Sequence, residues 1–128
     1  MNSKRALQST TTIGRKGEDI AASWLSEHGY AIITRNYRRR FGEVDIIARQ
    51  GEYLVFIEVK TRSSRQFGTP LDALTVKKQQ QLTLIARDYL VRHKIADTLC
   101  RFDVLAVTLS PGRPPRVDVI VNAFEAQG

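Results

Sequence analysis

The stretch that decides the fold is GEVDIIARQGEYLVFIEVKTR, which covers residues 42–62. Residues 43–48 and 53–60 are rich in β-branched and aromatic side chains, a composition typical of strands. Gln50-Gly51 lies between them, and the glycine can adopt the positive φ that a two-residue hairpin turn needs. The sequence therefore predicts an antiparallel hairpin.

This hairpin brings acidic side chains together. Side chains alternate along a strand, so Glu43, Asp45, Phe56, Glu58 and Lys60 are expected on one face. The predicted turn sets Asp45 opposite Phe56 and Glu43 opposite Glu58. Asp45 and Glu58 are then diagonal neighbours, with Cβ atoms about 7 Å apart. A gap of this width suits a cation held between two carboxylates.

A simpler interpretation is an exposed sheet face on which Lys60 pairs with Glu58. The strand at 53–60 argues against it, because it is apolar on both faces and such strands are usually central and covered. Two carboxylates about 5 Å apart repel by roughly 3 kcal/mol at an effective dielectric constant near 20. A fold accepts that cost more readily where a cation or a reaction uses it, which favours a functional cluster.

Composition indicates one basic domain. The 128 residues carry a net charge of +7 with a pI of about 10.0, so nucleic acid is the first partner to consider. A single cysteine, Cys100, excludes an intrachain disulfide and fits a reducing compartment. The chain begins without an apolar signal region, and no run approaches the roughly 18 apolar residues of a membrane span. We therefore expect a cytoplasmic protein with no membrane partner.

The remaining elements complete an α/β domain with a mixed central sheet flanked by helices, in the order α-β-β-β-α-β-β. Thr12 is the predicted N-cap of the first helix, and Thr69-Pro70 starts a short helical turn through Leu74. The domain is expected over 13–122, between a flexible segment at 1–12 and a tail at 123–128. The elements besides the hairpin are a helix at 13–28, a strand at 31–38, a helix at 76–92 and strands at 101–109 and 117–121.

Glu18 stands out on the first helix, because it falls inside the apolar arc of the helical wheel. A carboxylate turned toward a core needs a partner. One interpretation is a buried ion pair with an arginine such as Arg15 or Arg35. The other is a third acid directed at Asp45 and Glu58. The sequence alone leaves both open.

Basic residues surround the predicted acidic site. The run Arg38-Arg39-Arg40 ends the first strand, and it is either a solvated turn or a contact for a phosphate backbone. The polar loop at 61–69 carries Arg62 and is predicted to clasp a substrate. Lys78 falls in the buried stripe of the second long helix, where it either extends its ammonium to solvent or faces the site.

At this point the motifs resemble a known pattern. Asp45 followed by Glu58-Val59-Lys60, with Glu18 on the preceding helix, is similar to the active site of the PD-(D/E)XK nuclease superfamily, and the arrangement is similar to archaeal Holliday-junction resolvases. One departure is Val44, which stands where the superfamily has proline before the aspartate. The closer resemblance is to the YraN family, an uncharacterised bacterial family, through Gly14-Arg15-x-Gly17-Glu18, Arg35-Asn36, Gly42-Glu43-Val44-Asp45, Phe56-Ile57-Glu58-Val59-Lys60-Thr61-Arg62, Phe67-Gly68, Lys78 and Arg101-Phe102-Asp103-Val104.

The resemblance implies a restriction-endonuclease-like fold and metal-dependent hydrolysis of phosphodiester bonds. Asp45, Glu58 and the carbonyl of Val59 would hold Mg²⁺ or Mn²⁺, Lys60 would position the attacking water, and Glu18 would orient a water or bind the metal. The phosphate contacts would come from Arg38, Arg39, Arg40, Arg62 and Lys78. DNA is favoured over RNA, with branched or structured DNA as a candidate substrate, and resolvases of this type work as homodimers.

Two other hypotheses belong to different classes. In the first, the chain is a nucleic-acid-binding module that keeps the nuclease fold without cutting. In the second, it is a scaffold subunit of a DNA-processing machine. A complete set of three acids and a lysine argues against a dead site, because inactive descendants tend to lose acids.

Overall fold

The computed structural model describes residues 2–64 and 68–126. Helices and strands follow the predicted order, and a short 3-10 turn precedes the second helix as expected. The elements are α1 (Asn2–Glu27), β1 (Ala31–Arg39), β2 (Gly42–Gln50), β3 (Tyr53–Ser63), the 3-10 turn (Pro70–Ala73), α2 (Val76–Arg92), β4 (Leu99–Leu109) and β5 (Arg116–Ile120).

The five strands form one mixed sheet in the order β1-β2-β3-β4-β5. Short turns join β1 to β2 and β2 to β3, so these pairs are antiparallel. The β3–β4 pair is parallel, and the connection between these strands contains α2, since parallel neighbours need a long crossover. β5 returns antiparallel to β4. The predicted α/β fold with a mixed sheet is confirmed.

Each face of the sheet packs on one helix, so β3, which is apolar on both faces, is covered on both. Regular alternation along β3 sends neighbouring residues into different cores. The α1-side core includes Ala21, Leu25, Ile46, Val55 and Ile57. The α2-side core includes Leu82, Ile85, Phe56, Ile47 and Phe102.

Helix α1 is longer than predicted. It begins at Asn2, so the predicted start at residue 13 and the N-cap at Thr12 are wrong. The segment before Thr12 lacks the apolar stripe used to find the helix, but it contains good helix formers such as lysine, arginine, alanine, leucine and glutamine. Neither α1 nor any other helix in the described residues combines the length and apolarity needed to cross a membrane.

The hairpin turn lies one residue later than predicted. Gln50 pairs with Tyr53, so Gly51 and Glu52 form the turn. Gly51 does adopt a positive φ of 56°, but at the first turn position rather than the second.

This shift changes every cross-strand pair of the hairpin. Phe56 lies opposite Ile47, not opposite Asp45 as predicted. The last regular pair is Ile46 with Ile57, so the ladder ends before it reaches Asp45 and Glu58. The register from which the diagonal arrangement of these two acids was predicted is therefore wrong.

A buried ionic cluster around Asp103, which pairs with Ile57 in the β3–β4 ladder, joins the sheet to the segments that follow α1 and β5. Asp103 is 1% exposed and accepts two hydrogen bonds from Arg101, each 2.9 Å long. It also accepts from the Tyr30 hydroxyl and the Asn122 backbone N–H, both at 2.9 Å. Arg101 reaches back to the Gln50 side chain at the end of β2. Asp103 thus ties β4 to the segments after α1 and β5, and Arg101 extends the cluster to β2.

We expect Asp103→Asn to lower the free energy of unfolding by about 3 kcal/mol, because it strands the buried Arg101 guanidinium. Urea unfolding measures the change. The matched control is Asp118→Asn, since Asp118 pairs with Arg116 on the surface at 3.1 Å and should contribute less than about 1 kcal/mol. Equal effects of the two substitutions would show that the cluster does not stabilise the fold.

Candidate functional site

The site lies where β2 and β3 separate. Their ladder ends at the pair Ile46 and Ile57. Beyond it, β3 continues along β4 as far as Ser63 and Leu109, whereas β2 stays paired with β1 as far as Gly42. The edge of β3 that faced β2 is therefore left without a ladder partner just after Ile57.

Asp45 takes over part of the missing ladder. The backbone N–H of Val59 donates to Asp45 Oδ2 at 2.7 Å. In a strand, the N–H and C=O of one residue point to the same side, so the Val59 carbonyl also faces the opening. The Asp45 carboxylate and the Val59 carbonyl therefore lie at the same opening.

The backbone is irregular at this position. Val44 and Ile47 are three residues apart, and both pack in the α2-side core, although regular alternation would put them on opposite faces. On β1, Asn36 lies between the residues that pair with Val44 and Ile46, and its φ is 54°. The irregularity falls at Asp45, where the two strands diverge.

Glu58 is the second acid of the site, and it is only half satisfied. Its side chain is 17% exposed, and Oε1 lies 3.4 Å from Lys78 Nζ. Within the described residues, Glu58 Oε2 is buried without a hydrogen-bond partner. A buried carboxylate oxygen without a partner costs free energy, so this atom is a natural ligand for a cation.

Burial raises the pKa of both acids. It raises the pKa of Asp45 to about 6, against the lowering effect of the Val59 hydrogen bond, and Glu18 adds a further rise. Burial raises the pKa of Glu58 to about 7, and the charge of Asp45 raises it further while Lys78 lowers it. Because each acid affects the other, they titrate as a pair.

Glu18 reaches the rim of this site. Gly17 packs so closely on β3 that a Cβ atom there would lie 1.8 Å from Thr61 Oγ1, which brings the start of the packed part of α1 against the opening. The Glu18 carboxylate accepts from Asn36 Nδ2 at 3.4 Å and lies 3.8 Å from Arg35. Glu18 thus pairs with Arg35, as one interpretation expected, but the pair is partly exposed rather than buried, and Arg35 lies closer to Asp19, at 2.8 Å. Glu18 is also close enough to Asp45 to raise its pKa.

The donor set fits a hard divalent cation held by few protein ligands. Two carboxylates and one carbonyl supply only oxygen, which Mg²⁺ and Mn²⁺ prefer, and Mg²⁺ usually keeps several water ligands. Among the described residues, no group of three or more acidic, histidine or cysteine side chains is placed to hold a metal. Glu18 therefore belongs to the surroundings of the site rather than to the same ligand cluster.

Two predicted site residues lie farther along β3. Lys60 is exposed, and strand alternation puts it on the Glu58 face. Arg62 donates to the Gly68 carbonyl at 2.7 Å and to Thr108 at 3.4 Å. It lines a separate groove of about 420 Å³ near the end of β4. Within the predicted loop at 61–69, residues 61–63 belong to β3, Ser64 is a turn residue, and residues 65–67 lie outside the described residues.

A basic groove of about 590 Å³ borders the acids. It is lined by Arg38, Arg39, Arg40, Phe41, Gly42, Glu43, Lys78 and Gln81. Arg38 pairs with Glu43 at 2.9 Å, and Arg39 lies 3.0 Å from Asp88. Arg40 is exposed and has no ion-pair partner in the part of the chain that the structure describes. The groove joins the predicted arginine run to Lys78.

Sequence reasoning missed two residues of this groove. Gln81 accepts from Lys78 Nζ at 3.4 Å and donates to the Phe41 carbonyl at 2.8 Å. The signal that could have identified Gln81 is its spacing from Lys78, because residues three apart on a helix lie on the same side. Phe41 is exposed at the β1–β2 turn, and nothing in the strand pattern indicated that this turn lies on α2.

Fold and site define the class: a single α/β unit whose mixed sheet carries a half-buried pair of acids beside a basic groove. The family model described as "Uncharacterised protein family UPF0102" matches residues 17–107. The chain belongs to this family, which is the YraN family of the sequence resemblance.

Bacterial relatives match along most of their length. A UPF0102 protein of Geobacter sulfurreducens is 48% identical over 88% of this chain and 88% of its own. One from Symbiobacterium thermophilum is 47% identical over 89% of this chain and 97% of its own. One from Geobacter metallireducens is 45% identical over 89% and 93%. These matches cover both acids and the groove.

The raised pKa values predict how stability changes with pH in the absence of metal. The fold favours the protonated acids, so their contribution is fully present below about pH 4 and is lost as pH rises through about 6 to 7. Asp45→Asn should reduce this loss. Above about pH 7 it should leave the free energy of unfolding unchanged or raise it by roughly 1 kcal/mol.

Urea unfolding in EDTA across this pH range measures the effect, with Asp118→Asn as the surface control. If Asp45 were instead half of a buried ion pair, the same substitution would destabilise the metal-free protein by about 3 kcal/mol.

Proposed function

We propose that the protein is a metal-dependent nuclease that hydrolyses phosphodiester bonds in DNA. The observation that carries the proposal is the pair of half-buried acids, Asp45 and Glu58, with raised pKa values and an unsatisfied Glu58 oxygen. Strongly perturbed acids at an opening in the fold are typical of functional sites. The basic groove beside them suits a phosphate backbone.

The residues divide into holding, positioning and charge-balancing roles. Asp45, Glu58 and the Val59 carbonyl would hold Mg²⁺ or Mn²⁺. Such a cation supplies polarisation of the scissile phosphate and a lower pKa for a water molecule. Lys60 would position the attacking water and stabilise the charge that develops on the phosphate oxygens. Glu18, held by Arg35 and Asn36, would accept a hydrogen bond from a water at the rim.

The phosphate contacts are proposed for the groove. Arg40 is exposed without an ion-pair partner among the described residues, and Lys78 lies between the groove and Glu58. Arg38 and Arg39 would add positive charge, reduced by their pairs with Glu43 and Asp88. Arg62 would contact phosphate only where a strand extends to the second groove.

A second candidate is a nucleic-acid-binding protein that does not cut. The observation in its favour is the ion pair between Lys78 and Glu58, which already neutralises part of the acidic charge. In that case the site is an electrostatic feature of a binding surface. Cleavage measurements separate the two candidates.

The cleavage test uses branched, flapped, single-stranded and duplex DNA, and matching RNA, with Mg²⁺ or Mn²⁺. We expect the parent protein to cut at least one of them. Asp45→Asn and Lys60→Ala should each lower the rate by about a hundredfold or more, while binding persists because neither change removes a groove contact. Asp118→Asn is the control acid and should cut normally.

Metal binding has a readout independent of cleavage. A cation that binds only the folded state raises its melting temperature. We expect this rise in the parent and in Asp118→Asn, and its loss in Asp45→Asn. An inert parent with no metal-dependent rise would contradict the nuclease proposal and leave the binding protein.

The groove predicts a salt-dependent affinity for DNA. Each phosphate contact that is removed should reduce the slope of log K against log salt by about 1. Arg40→Gln should therefore flatten the slope by about that amount. The matched control is Arg49→Gln, because Arg49 lies at the other end of β2, about 24 Å from Gly42.

Fluorescence anisotropy over a salt series gives both slopes. Identical slopes for the two variants would mean that the arginine run is only a solvated turn.

A further inference from the structure

The basic groove contains one aromatic ring that phosphate binding does not explain. Phe41 forms the β1–β2 turn between Arg40 and Gly42, and it is 40% exposed. A phenyl ring offers no hydrogen-bond donor to phosphate. Exposed apolar side chains are common on protein surfaces, so exposure alone carries little weight. The surroundings of Phe41 carry the argument.

The turn that bears Phe41 is fastened to α2. Gln81 Nε2 donates to the Phe41 carbonyl at 2.8 Å. Gly42 has a φ of 150°, and a Cβ atom there would lie 2.4 Å from the Gln81 side chain. Glycine therefore lets the turn lie directly on Gln81. A ring on a fastened turn loses little conformational freedom when a ligand packs on it.

The same contacts connect Phe41 to the acidic site. Lys78 Nζ lies 3.4 Å from Gln81 Oε1 and 3.4 Å from Glu58 Oε1. A continuous series of three polar contacts thus runs from the Phe41 backbone through Gln81 and Lys78 to Glu58. A group that packs on Phe41 is held in a set relation to the carboxylates.

Aromatic rings in basic grooves bind nucleic acid by stacking on bases. Phosphates follow the cationic side chains, and the exposed faces of bases pack on the rings. In a continuous duplex, base faces are covered by their neighbours, so the ring can stack only where a base is unpaired. Arg38, Arg40 and Lys78 line the same groove as Phe41 and supply the cationic part.

We infer that Phe41 stacks on an unpaired base, so that the groove takes a single-stranded or branched segment rather than continuous duplex. This inference rests on the proposed function and specifies its substrate class. The acids would then meet the backbone close to the unpaired nucleotide. Specificity comes from the structure of the strand, because stacking on a phenyl ring is tolerant of sequence.

The test compares single-stranded and duplex DNA of one sequence, with EDTA present to prevent cleavage. We expect Phe41→Ala to weaken single-strand binding about tenfold and to change duplex binding little. Phe41→Trp should retain single-strand binding, and Phe41→Leu should weaken it despite keeping an apolar side chain. The matched control is Leu71→Ala, since Leu71 is similarly exposed, at 44%, but lies outside the groove.

A direct readout is the fluorescence of 2-aminopurine in the single strand, which falls when the base stacks. Quenching should occur with the parent and Phe41→Trp and be lost with Phe41→Ala. Equal single-strand affinity in parent and Phe41→Ala, or equal losses for both forms of DNA, would overturn the inference alone. If the parent binds no nucleic acid in any form, both the inference and the proposed function fail.

Discussion

The site depends on one electrostatic constraint: two half-buried acids lie on adjacent strands, and the Lys78 ammonium lies between Glu58 and the groove. Asp45 and Glu58 come together because the β2–β3 ladder ends at Ile46 and Ile57. The Val59 N–H and Lys78 each stabilise one of the acids, yet burial still raises both pKa values. A fold keeps such a cost at a place where function uses it, and stabilises itself elsewhere.

A second buried acid lies nearly level with Glu58 on the other face of the sheet, because Asp103 pairs with Ile57 in the β3–β4 ladder and neighbouring residues of a strand alternate between faces. Asp103 and Arg101 form a buried pair in which both Asp103 oxygens are hydrogen bonded. By contrast, Glu58 Oε2 has no hydrogen-bond partner among the described residues. One face of the β3–β4 pair satisfies its buried charge within the protein, and the other leaves a Glu58 oxygen unsatisfied within the described residues. β3, packed on both faces, separates the two charges.

Most of the fold followed from periodicity, because strand and helix patterns are local properties of the chain. The predicted helix at 76–92 matches α2, and Lys78, for which the sequence left two orientations open, lies 3.4 Å from Glu58. The register of the hairpin was predicted wrongly, because a glycine fits either turn position and a shift of one position changes every cross-strand pair. The Phe41–Gln81 contact joins residues 40 apart in sequence, and no local pattern determines where a turn meets a helix.

Lys78 makes the acidic site and the basic groove one system. Its ammonium lowers the pKa of Glu58, so a phosphate that drew Lys78 into the groove would raise that pKa. Conversely, a proton or cation on Glu58 weakens its attraction for Lys78 and frees that charge for the groove. By linkage the two effects are equal in free energy. Under the proposed function, occupation of the acidic site and binding of a polyanion would therefore favour each other through Lys78.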